Sequence, residues 1–186
     1  MNVPILLARL QSVHHSLSRA GFDHAVGGAI ALAVHVREPR FTAHIDLNIT
    51  ADVQVPERLL GCLPADLEPD PGAATRLRRD HQLRFHWRDP DTPLDLFLPV
   101  HPTFHALVVE RAQPVDFLGA GIKVLTATDL MVFKTLFNRS KDWVDIETLV
   151  ADGAGSGDEA LAWVREIVGS QDPRAQRLAR LLEHGG

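Results

Sequence analysis

The chain of 186 residues contains a single cysteine, Cys62. No disulfide can form within it, which suits a reducing cytoplasm. A lone thiol in an apolar stretch reads as a small buried hydrophobe rather than a nucleophile. No apolar run approaches the ~18 residues of a membrane-spanning helix, so no membrane partner is expected. The first ten residues lack a basic start and a small-residue cleavage site, and no signal peptide is expected there. Internal repeats and low-complexity tracts are missing too. Nor is there an excess of positive charge: the formal net charge is -5, which speaks against a surface coated for duplex nucleic acid. Basic residues do gather locally, with Arg76, Arg78, Arg79, Arg84 and Arg88 in one stretch and Arg174, Arg177 and Arg180 in another. Solvated faces are the plain reading of both, and phosphate contacts the alternative. The hydrophobic fraction, 45%, is enough for a core without staples.

Apolar spacing organises the chain into mixed elements first and helices last. Ile5, Leu6, Leu10, Val13 and Leu17 recur at helical intervals, so residues 4 to 20 form a helix that stops at Gly21. Residues 24 to 26 read as a short strand, 29 to 36 as a small-residue helix ending before Pro39, and 55 to 63 as a helix begun near Pro56. From 43 to 50 the chain alternates, with Ile45, Leu47 and Ile49 on one face and His44, Asp46 and Asn48 on the other. Residues 66 to 74, rich in Pro, Asp and Gly, read as a loop. Strands follow at 83 to 87 and 94 to 98, then a helix over 102 to 110. A hairpin is expected around Gly119-Ala120-Gly121. Helices are expected at 128 to 138, around 144 to 150, at 158 to 168 and at 173 to 183, with a flexible connector at 152 to 157. The fold class is α+β: a mixed β-sheet flanked by helices, with a C-terminal helical part. The boundary falls near 125, giving a core of 1–125 and a helical part of 126–186, packed as one domain.

Three features could carry chemistry. Gly27-Gly28 lies between a strand and a helix, where backbone N–H groups suit a phosphate, although most such pairs are only tight turns. His44 and Asp46, two residues apart on one strand face, could grip a cation and leave room for phosphate oxygens, or could simply be a solvated face. Asp95 sits among Leu94, Leu96, Phe97 and Leu98. A carboxylate in so apolar a strand must be paired, hydrogen-bonded or metal-bound unless the strand edge is open to water. Further on, Lys134 stands among Val132, Phe133 and Leu136, where it either snorkels or reaches a phosphate.

The order of motifs is Gly27-Gly28, a helix, Arg40-x-Thr42-x-His44-x-Asp46, Leu94-Asp95-Leu96-Phe97, Thr126-x-x-Asp129-Leu130-x-x-x-Lys134 and Arg139-x-Lys141-Asp142-x-x-Asp145-Ile146. It resembles the minimal nucleotidyltransferase superfamily (DNA polymerase β-like), and within it the AbiEii/MenT-type toxin branch, over roughly residues 21 to 149. The resemblance implies transfer of an NMP from an NTP to an acceptor hydroxyl, with Mg2+ or Mn2+ as cofactor. It places Gly27, Gly28, Arg40, Thr42 and Lys141 with the nucleotide, the metal on His44, Asp46 and Asp95, and the chemistry on Asp46, Asp95, Lys134 and Asp142. Asp95 would serve as base or metal holder, and Lys134 would neutralise triphosphate charge. The toxin branch implies the tRNA 3′ end as acceptor, a separately encoded antitoxin as partner, and a cytoplasmic bacterial setting.

The sequence departs from this pattern at one position. The family motif is Asp-x-Asp, and here it is His44-Ile45-Asp46. Imidazole is a poorer Mg2+ ligand than carboxylate. Either the metal differs, one metal position is weakened, or catalysis is lost and the chain binds a nucleotide or a partner protein without turnover. A third reading is a small-molecule adenylyltransferase of the antibiotic-resistance kind, whose polycationic substrate an acidic protein would suit.

Overall fold

A computed structural model describes residues 3–67 and 71–184. Residues 68–70, within the expected loop of 66 to 74, lie outside the described residues, as do the first two residues of the stretch read for a signal peptide. The chain forms two compact units.

The first unit takes in Met1–Ile30 and Phe41–Val124. It begins with helix α1 (Val3–Arg19), whose Leu6, Leu10, Val13 and Leu17 are buried at the expected helical spacing. Strand β1 (His24–Val26) leads through Gly27 into helix α2 (Gly28–His35), which starts in this unit and carries the chain into the second. Strand β2 (Ile45–Ile49), helices α3 (Pro56–Cys62) and α4 (Ala73–Asp80), strands β3 (Gln82–Arg88) and β4 (Asp91–Phe97), helix α5 (Pro102–Arg111) and strands β5 (Gln113–Phe117) and β6 (Ala120–Val124) complete it.

The six strands form one sheet in the order β3-β4-β2-β1-β6-β5. β2 runs parallel to β4 and antiparallel to β1, β1 is parallel to β6, and the edge pairs β3/β4 and β5/β6 are antiparallel. The core is built from alternate residues: Ile45, Leu47 and Ile49 of β2, Leu94 and Leu96 of β4, and Leu83, Phe85 and Trp87 of β3 are all buried. Facing away from them, β3 exposes Gln82, Arg84, His86 and Arg88.

Several details differ from the sequence expectations; β4, for one, begins at Asp91 rather than 94. β2 begins at Ile45 rather than 43, because the Thr42 hydroxyl accepts the His44 N–H at 3.1 Å and turns the chain just ahead of the strand. The β5–β6 turn is Leu118-Gly119, both with positive φ (55° and 88°), and Gly121 lies inside β6. Helix α4 occupies part of the basic stretch and was not expected. It buries only Ala73 and Leu77, too few apolar positions to set up a visible period.

The second unit takes in Ala31–Arg40 and Leu125–Gly186. Its helices are α6 (Ala127–Phe137), α7 (Ser140–Ala151), α8 (Gly157–Val168) and α9 (Pro173–His184), and α6 packs against the other three. Polar side chains mark their starts: Thr126 caps α6 and Ser156 caps α8, each accepting a backbone N–H three residues on. Pro173 opens α9. No helix among the described residues is long and apolar enough to cross a membrane.

Candidate functional site

In the first unit, strand pairing assembles a row of charge across three strands. Asp46 of β2 is in register with Asp95 of β4, and Asp95 is in register with Arg84 of β3. Neighbouring strands lie about 4.8 Å apart, so the two carboxylates are close neighbours that repel. Asp95 is buried and Asp46 half-buried. Arg84 offsets the repulsion. Its Nε donates to Asp95 Oδ1 at 2.7 Å and its Nη2 to Oδ2 at 2.6 Å, a two-pronged ion pair. The hydrogen bond to Asp95 holds the Arg84 guanidinium above its already high pKa, with the charge of Asp46 acting in the same direction. Because β3 is the sheet edge, Arg84 reaches its buried partner while its side chain stays 48% exposed.

Asp46 also meets the start of α2. The Gly27 N–H donates to the Asp46 carbonyl at 2.8 Å. Gly28 has φ +58°, and a Cβ placed on it would lie 1.8 Å from Asp46 Oδ2. Only glycine allows the carboxylate this close to the first residue of the helix. Asn48, two residues further along β2, is buried, and its Oδ1 has no hydrogen-bond partner.

His44 lies one residue ahead of β2, on the turn made by Thr42. Among the described residues no group of three or more His, Cys, Asp or Glu is placed to hold a metal ion. Of the expected His44, Asp46 and Asp95, strand register brings Asp46 and Asp95 side by side.

The remaining expected residues lie in the second unit and form their own cluster. Asp145 of α7, 2% exposed at its side chain, accepts from Arg40 Nε at 2.8 Å, from Arg40 Nη2 at 2.9 Å and from Lys134 Nζ. Burial pushes the Lys134 pKa down, against the pull of Asp145. Burial also raises Asp145, but its bonds to Arg40 and Lys134 outweigh this and hold it below the usual carboxylate range. Asp142 is an N-terminal fastening of α7. It accepts the Arg139 backbone N–H at 3.1 Å and is gripped by the Arg139 guanidinium at 2.6 and 3.0 Å. Lys141 is exposed. Cys62 is half-buried and burial raises its thiol pKa, in keeping with an inert side chain.

Sequence reasoning missed two partners. Arg84 was seen only as one of a basic stretch, and its role depends on the β3/β4 register. Asp145 was visible in a motif, but nothing in the sequence marked it as the carboxylate shared by Arg40 and Lys134.

The sheet order and the Gly27-Gly28 entry into α2 define the class of fold as nucleotidyltransferase-like. Two solved structures share it. One is an antigenic nucleotidyltransferase-like protein from Paracoccidioides brasiliensis, at TM-score 0.51 and 16% identity over 94% of this chain and 87% of the other. The second is the antibiotic-resistance factor ANT(2'')-Ia, at TM-score 0.59 and 10% identity over 99% of this chain and 98% of the other. At these identities the likeness concerns the fold. No protein-family model matches the chain, and no curated protein sequence matches it.

Proposed function

We propose that this chain is a nucleotidyltransferase, moving an NMP from an NTP to an acceptor hydroxyl with release of pyrophosphate. The observation that carries the reading is the Asp46–Asp95 pair, registered side by side on β2 and β4, with Asp46 set against Gly28 at the start of α2. The fold supports it, and so does the order of the motifs.

The donor set fits a divalent cation at two positions. Asp46 and Asp95 offer hard carboxylate oxygens of the kind Mg2+ and Mn2+ prefer, whereas His44 offers nitrogen. When bound, such a cation supplies phosphate charge neutralisation and a more acidic hydroxyl. The chain's own residues do the rest. Gly28 leaves the space that lets Asp46 stand at the helix entrance. Asp46, the less buried carboxylate, is the better placed to face a substrate. Asp95 accepts from Arg84 through both oxygens, so its carboxylate is already engaged within the sheet.

The motif order favours the tRNA 3′ end as acceptor, a toxin role and an antitoxin that restrains it. The test is incubation of the purified chain with each α-labelled NTP, Mg2+ or Mn2+, and either bulk tRNA or aminoglycosides. Label on tRNA that is lost in Asp46→Asn supports the reading. Label on an aminoglycoside would transfer the reaction to the small-molecule class. No transfer to any acceptor by folded protein would leave the second reading, a nucleotide binder without turnover. That reading is favoured by His44 and by the engagement of Asp95 with Arg84.

A further inference from the structure

Resting on the nucleotidyltransferase reading, we propose that Arg84 is a built-in counter-cation. It occupies Asp95 when no divalent cation is bound, and must let go for one to bind. Four observations lead there. Asp95 is almost fully buried, its side chain 4% exposed, so its charge cannot be left to water. It stands beside a second carboxylate, Asp46, so the pair demands positive charge. Arg84 covers both Asp95 oxygens with one planar fork, at 2.7 and 2.6 Å. Finally, Arg84 borders an open cleft of about 480 Å³, lined also by Asp66, Asp89, Arg9 and Arg88, which gives a released guanidinium room to move into.

The two cations compete for the same oxygens. A dication on Asp95 would stand beside the Arg84 guanidinium on the same two oxygens, so cation binding and the Arg84–Asp95 pair oppose each other by charge repulsion. A competent site populated only while Arg84 is released binds its ligand more weakly by that fraction. Arg84 is thus a positioning residue. It keeps the carboxylate pair stable and aligned while empty, and it sets how much free cation is needed to fill it.

The test reads cation binding without nucleotide or acceptor, so it stands apart from any failure of transfer activity. Mn2+ affinity is measured by electron paramagnetic resonance on the full chain, and Tm is measured in EDTA and in Mn2+. Arg84→Gln is expected to bind Mn2+ tighter than wild type by about tenfold or more. Its Tm, lowered in EDTA, should rise with Mn2+ by more than the wild-type Tm does. Arg84→Lys, which keeps the charge but loses the fork, should fall between the two. Adding Asp95→Asn to Arg84→Gln should remove the gain. Mn2+ affinity in Arg84→Gln equal to or below that of wild type would overturn the proposal. If Arg84→Gln folds only with Mn2+, the proposal is supported. If it fails to fold even with Mn2+ and Arg84→Lys binds as wild type, Arg84 is a permanent structural partner and the proposal is wrong. Should transfer be absent while the Mn2+ gain is present, the counter-cation stands and the transferase reading falls.

Discussion

At the scale of single residues, Asp46 and Asp145 show how differently buried carboxylates are supported. Asp46 relies on a missing side chain. Gly28 has φ +58°, and a Cβ added there would stand 1.8 Å from Asp46 Oδ2, so Gly28→Ala must both strain the backbone and push the carboxylate away. The backbone strain alone costs about 1–2 kcal/mol, and urea denaturation should show a larger loss than that. An alanine variant as stable as wild type would contradict the close approach. Asp145 relies on two cations. Asp145→Asn leaves Arg40 and a buried Lys134 facing each other, and a loss of about 3–5 kcal/mol is expected by chemical denaturation. That Asp95 needed a partner was legible in its apolar flanks. Which partner it had was not, because the answer lies in a strand register that joins residues eleven apart through a hairpin.

At the scale of elements, α1 and β1 are joined by a histidine pair. His24 Nδ1 lies 2.8 Å from the Phe22 carbonyl and so carries the proton, which leaves Nε2 to accept from His14 Nδ1 at 2.9 Å. The His24 ring is therefore neutral in this arrangement. Burial lowers both pKa values below 6.5, with each positive neighbour adding to the effect on His14. A lowered folded-state pKa means that the unfolded chain binds more protons between the folded and unfolded values. The contribution is fully present above pH 6.5 and is lost as pH falls through the lowered folded values. Tm measured from pH 8 down to pH 5 should fall below about pH 6.5, and the fall should be smaller in His14→Gln. An identical slope in the variant would remove the pair as the cause. Elements with a dense apolar period or a clear starting signal, such as α1 and α9 with Pro173, could be read directly from the sequence, whereas α6 starts one residue before the expected 128, capped by Thr126. α4 could not, since its arginines resemble a solvated loop until Leu77 is seen to be buried. The start of β2 at Ile45 is set by the Thr42 hydroxyl bond to the His44 N–H, which the sequence alternation does not mark.

At the scale of the whole molecule, the fold class and the glycine entry to α2 were visible in the order of motifs, and the sheet confirms them in its strand order. The Asp46–Asp95 pair was visible only as two separate acids. Of the three expected ligands, strand register joins Asp46 and Asp95, and Asp95 is bonded to arginine. The central claim is that Asp46 and Asp95 together form the place where a cation and a triphosphate meet. Crystals grown with Mn2+ and a non-hydrolysable NTP analogue test it most directly, through anomalous scattering from manganese. The account predicts a manganese peak bounded by Asp46 and Asp95, Arg84 withdrawn from Asp95, and phosphate density at the first residues of α2. Nucleotide bound elsewhere, or phosphate density at α2 with no manganese between the two carboxylates, would contradict it.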